Sequence, residues 1–103
     1  MTSRNATNDA AETSGPKRFD LIKPYEFRGQ RYDSFMAREP RVRDIRTFLK
    51  TVEADPILAT YTTLAQLCGV DEPVMADLHT KDFGIMKQWF EGFLSDLTPD
   101  SQH

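Results

Sequence analysis

Little in this sequence is equipped for chemistry. It holds one cysteine, Cys68, and two histidines, His79 and His103. A single thiol can neither close an internal disulfide nor build a cysteine-based zinc site, so nothing argues for an oxidising compartment. Neither histidine has a second His or Cys at metal-ligand spacing, and Cys68 has no base placed to activate it. No GxxxxGK(S/T), GxGxxG or GxSxG pattern occurs, and Gly29 alone cannot cradle a phosphate. No apolar run approaches the roughly 18 residues that span a bilayer. The opening MTSRNATNDAAETSG has neither a hydrophobic core nor a basic leader, so the expected location is the cytosol, off the membrane. No enzymatic activity, cofactor or metal is expected.

What is present is a split in charge. The net charge is −3, yet residues 23–50 hold eight basic and four acidic side chains, while residues 51–103 hold two basic and nine acidic ones. Such a chain can associate head to tail with its own copies, offer opposite faces to different partners, or simply carry two solvated faces. A chain of 103 residues makes one domain at most. Domains this small bury only about 60% of their unfolded surface and often gain stability by associating.

Residues 1–17 are polar and nearly free of large apolar side chains, which predicts a disordered tail. From Phe19 the pattern alternates. Phe19, Leu21, Tyr25 and Phe27 share one parity, as an edge strand bent at Pro24 would require. Arg28-Gly29-Gln30 supplies a turn, and residues 31–38 return as a second strand, giving a β-hairpin over about 19–38. Tyr32 has the wrong parity for the face shared by Phe35 and Ala37, so it lies outside or a bulge intervenes.

Pro40 then marks the change from strand to helix, because it suits the first helical position and pushes Glu39 out of the helical region. Val42, Ile45, Phe48, Leu49 and Val52 form one stripe of a helix over about 40–52, with Arg41, Arg43, Asp44, Arg46 and Lys50 on the other face. Asp55 caps a second helix that starts on Pro56 and stops at Gly69, spanning 56–68, with Ile57, Leu58, Tyr61, Leu64, Ala65 and Cys68 on its apolar stripe. A short helix over 71–78 follows, capped by Asp71. Thr80 caps the last helix, over 81–95. Residues 97–103 read as a frayed tail. The expected fold is therefore α+β: an N-terminal β-hairpin packed on a small bundle of three to four helices, all within 18–96.

Two clusters are candidates for function. Trp89, Phe90 and Phe93 either pack under the hairpin or form a partner-binding patch, since aromatic anchors dominate hot spots. Arg41, Arg43 and Arg46 make a cationic face that assists such a contact or mediates self-association. The acidic total, the interleaved Glu39 and Asp44, and the lack of a helix-turn-helix or stacking platform weigh against nucleic acid as the partner.

The order of features also carries a resemblance. A proline-containing first strand, the Gly29 turn, Ala37-Arg38-Glu39-Pro40 followed by Arg43-Asp44-Ile45, Leu67-Cys68-Gly69-Val70, Asp82-Phe83 and Gly92-Phe93-Leu94 occur in series. Over Phe19 to Leu94 the chain resembles the phage tail assembly chaperones, the small tail assembly proteins of Mu-like and related contractile-tailed phages. The resemblance implies a non-enzymatic morphogenesis factor in the cytoplasm of an infected or lysogenic host. It implies binding to the tape measure protein, which it keeps soluble, and absence from the mature virion. The alternatives are a small structural or adaptor protein of the virion, or a small nucleic-acid-binding regulator.

Overall fold

The computed structural model describes residues 15–97. The tails expected at either end lie almost wholly outside these residues. Among the described residues two strands lead, β1 (Lys17–Phe27) and β2 (Gln30–Ala37), followed by four helices: α1 (Val42–Val52), α2 (Pro56–Cys68), α3 (Glu72–Ala76) and α4 (Thr80–Asp96). The α+β architecture expected from the sequence, a hairpin followed by helices, is the one found.

The hairpin closes through two residues, Arg28 at φ 53° and Gly29 at φ 80°. Positive φ at both positions matches the right-handed twist of the flanking strands, and Gly29 adopts it without a Cβ penalty. Gln30, expected in the turn, already belongs to β2. Pairing then breaks: Tyr25 faces Tyr32 and Asp20 faces Ser34, so residues 21–24 of β1 bulge out opposite Asp33 alone. Pro24 sits in this bulge, where its missing N–H removes no ladder bond. The irregularity also answers the parity question at Tyr32. Its ring lies against Tyr25 at 5.5 Å and stacks on Phe35 at 5.6 Å.

A bulge strands backbone amides, and here a distant carboxylate takes them. Asp82, in the first turn of α4, accepts hydrogen bonds from the amides of Ile22 at 2.8 Å and Lys23 at 3.0 Å. Asp82 is thus a buried clamp between hairpin and helix. The cap of α4 moves accordingly: His79, not Thr80, occupies the N-cap, and its Nδ1 accepts from the Lys81 amide at 3.1 Å.

Helix α1 also starts later than expected. Pro40 remains in the extended approach, Arg41 is the N-cap, and Asp44 accepts from the Arg41 amide at 2.8 Å. A carboxylate at the third helical position sets the cap three residues before itself, and that residue must own an N–H. By contrast α2 begins as expected, with the Asp55 carboxylate accepting from the Leu58 amide at 3.0 Å, and ends on Gly69 at φ 72°. The short α3 is trimmed to Glu72–Ala76, and Asp71 makes no side-chain cap bond.

Helix α2 is the hub, touching β2, α1, α3 and α4. Leu64 and Phe90 are fully buried beside Met75 and Met86, and Phe90 meets Phe48 edge-on at 5.0 Å. From the hairpin, Phe19, Leu21, Phe35 and Ala37 close over these side chains. Tyr25 adds a hydrogen bond from its hydroxyl to the Val74 carbonyl. Burial, with Asp77 nearby, pushes the Tyr25 phenol up to about 12.

Replacing Asp82 by Ala leaves two bulge amides without their acceptor. We expect a loss of roughly 2–4 kcal/mol in urea denaturation, with Asp82→Asn losing less because it keeps one acceptor oxygen. Amide hydrogen exchange should accelerate first at Ile22 and Lys23.

Candidate partner-binding surface

The surface is built at the strand-to-helix junction. Arg38 ends the hairpin with its amide donating to the Leu67 carbonyl at 3.0 Å, which ties β2 to the end of α2. Its guanidinium reaches forward to Asp44 in two bonds, Nη1 to Oδ2 at 2.8 Å and Nη2 to Oδ1 at 3.2 Å. Asp44 is thus not an exposed partner of neighbouring arginines but a buried carboxylate with three hydrogen bonds. Hydrogen bonding from Arg38 holds its carboxyl below the usual carboxylate range; burial opposes this and the Arg41 amide adds to it. One sequence signal for this role was present, the three-residue step from Arg41 to Asp44 that marks a capping carboxylate.

With Asp44 drawn inward, α1 shows water a one-signed face. Arg41, Arg43, Arg46 and Lys50 are all exposed. Arg43, Arg46 and Lys50 have no ion-pair partner among the described residues, whereas Arg18, Arg31, Arg38 and Lys87 each hold a carboxylate. The apolar stripe of α1 is narrower than its periodicity suggests. Ile45 and Phe48 are buried, but Val42 is 73% exposed and Leu49 55%. The reason is the neighbours: α1 packs on α2 and Phe48 meets Phe90 of α4, while the side carrying Val42 and Leu49 stays in water. Ile57, expected on the apolar stripe of α2, is likewise exposed.

The aromatic candidates divide. Phe90 is fully buried against Phe48, so it belongs to the core and presents no surface. Trp89 and Phe93 are half-buried neighbours. Trp89 stands edge-on to Phe19 at 5.4 Å and to Phe93 at 5.1 Å, bridging hairpin and helix while keeping part of its ring in water. A step of four residues joins 89 to 93, so both lie on one side of α4, and Phe90 points about a hundred degrees from Trp89 and about sixty from Phe93.

Elsewhere the reactive side chains are quiet. Burial pushes the Cys68 thiol up to about 12. Among the described residues no group of three or more His, Cys, Asp or Glu is placed to hold a metal ion. No described helix is long and apolar enough to cross a membrane.

A hairpin braced on helices, with an exposed cationic helix face and half-buried aromatics beside it, defines a small α+β domain. The chain belongs to the phage tail assembly chaperone proteins, the family described as E, or 41 or 14, which it matches over residues 18–95. That span runs from the second residue of β1 to the last turn of α4. No curated protein and no solved structure matches the chain.

The pH response of the junction follows from Asp44. Its folded-state value lies below the unfolded value of about 3.9, so its contribution is complete above about pH 4 and is lost as pH falls through the folded value. Arg38 is partly exposed, so solvent weakens the pair. Asp44→Asn should cost roughly 1–3 kcal/mol at neutral pH. Urea midpoints measured across a pH series should then depend less on pH in the acid range than those of the wild type.

Proposed function

We propose that this chain binds the phage tape measure protein during tail assembly and keeps that long polypeptide soluble, without catalysing a reaction. Membership of the tail assembly chaperone family across residues 18–95 carries the reading. The geometry supports it in kind: half-buried Trp89 and Phe93 offer amphipathic contact area at low entropic cost, and the free charges of Arg41, Arg43 and Arg46 offer attraction to acidic segments. A long partner with many similar segments would hold several copies, whose weak contacts gain from high effective concentration. The chain acts in the host cytoplasm and leaves before the particle is complete.

Co-expression with the tape measure protein of the same gene cluster, followed by affinity capture and light scattering, tests this. The expected result is a long partner that is soluble only in the complex, with several copies of the chain on it. An insoluble partner with the chain eluting alone would reject the role, and the purified particle should then be searched for the chain as a structural component.

Variants separate surface from core. Trp89→Ala with Phe93→Ala, and the exposed triple change Arg41→Ala, Arg43→Ala and Arg46→Ala, should each lose the partner while circular dichroism stays folded. Phe90→Ala should instead destabilise the chain by about 3–5 kcal/mol, as a large core deletion does.

A further inference from the structure

Beside the core line of α1 lies an open groove of about 440 Å³. Its floor is Val42, Ile45 and Leu49 of α1 with Leu97 at the end of α4, and Arg46 and Lys50 stand in its wall. Three of the four floor residues are large apolar side chains left in water: Val42 73% exposed, Leu49 55% and Leu97 49%. Burying these side chains under a partner would remove them from water at a gain of about 25 cal/mol per Å². Leu97, the C-cap residue of α4, follows Phe90 by seven positions and so continues the side of that helix that faces α1.

We infer that this groove receives an amphipathic helix of a partner protein whose apolar stripe is bordered by acidic side chains. The floor spacing is helical on the α1 side, with 42, 45 and 49 in one row, and a helix is the element that lays an i, i+3, i+4, i+7 row into such a groove. Charge selects the flanks. Arg43, Arg46 and Lys50 form no ion pair among the described residues, although the Arg43 charge helps hold down the Asp44 carboxyl, so acidic flanks on the occupant would complement these cations.

Two other occupants fit less well. A second copy docking α1 on α1 about a two-fold axis would set these same three cations against themselves, a like-charge juxtaposition that opposes association. Residues 98–103, TPDSQH, contain no large apolar side chain and residues 1–14 contain only Met1, so neither stretch supplies an apolar stripe. The inference deepens the tape measure reading, because it names the class of segment that such a partner would present.

The test uses the full chain, uniformly ¹⁵N-labelled, titrated with a synthetic helical peptide carrying a leucine stripe flanked by glutamates, and with the same peptide carrying lysines instead. The glutamate peptide should shift the amides of Val42, Ile45, Arg46, Leu49, Lys50 and Leu97, and the lysine peptide should not. Leu49→Glu, a change on an exposed site, should weaken binding roughly tenfold to hundredfold. Arg46→Glu with Lys50→Glu should reverse the preference between the two peptides. Shifts centred elsewhere, equal binding of both peptides, or concentration-dependent shifts at Val42 and Leu49 without peptide would overturn the inference, the last in favour of a second copy. Co-expression with the tape measure protein separates the two readings. If wild type fails to keep that protein soluble while the peptide result holds, the named partner falls and the groove stands; if wild type succeeds and Leu49→Glu succeeds equally, the groove falls.

Discussion

A two-stranded sheet cannot hold itself together in water, and this constraint shapes the whole molecule. Each strand has one ladder, and one face of the hairpin must find a cover elsewhere. The helices supply the cover, but apolar contact is non-directional and would allow the hairpin to slide. Two buried carboxylates supply direction. Asp82 takes the amides of Ile22 and Lys23 in the β1 bulge and fixes the hairpin to the start of α4. Asp44 takes the Arg38 guanidinium and the Arg41 amide and fixes the end of β2 to the start of α1.

Both carboxylates occupy the third position of their helices, where the helix dipole favours negative charge. Each therefore answers two demands with one group, the helix terminus behind it and the hairpin in front. The arrangement also leaves no buried side-chain nitrogen or oxygen unpartnered among the described residues. In a domain this small, one stranded polar group would be a large fraction of the total stability.

The proposed binding surface is a by-product of the same geometry. Because Asp44 turns inward to Arg38, the charges left on the outside of α1 are all positive. Because α2 and α4 cover only the side of α1 that carries Ile45 and Phe48, Val42 and Leu49 stay in water. Because Trp89 bridges to Phe19, the aromatic row of α4 is anchored yet not sealed. Fixing the hairpin and creating a cationic, apolar surface are thus one structural event, which suits a protein whose family assembles phage tails.

Local chemistry made much of the fold legible. The Arg28-Gly29 turn, Asp55-Pro56, Gly69 and the aromatic spacing of α4 act through residues a few positions apart, so a linear reading finds them. The order of motifs likewise pointed to the family, because motif order is a property of the chain. What only the tertiary structure decided depends on residues far apart in sequence. Asp82 finds its partners some sixty residues earlier, and they are backbone amides that carry no sequence signature. Whether Phe90 was core or contact, and whether Val42 and Leu49 were core or surface, rested on which side of each helix a neighbour covered. Periodicity places side chains on a common face, but only packing determines how much of that face is removed from water.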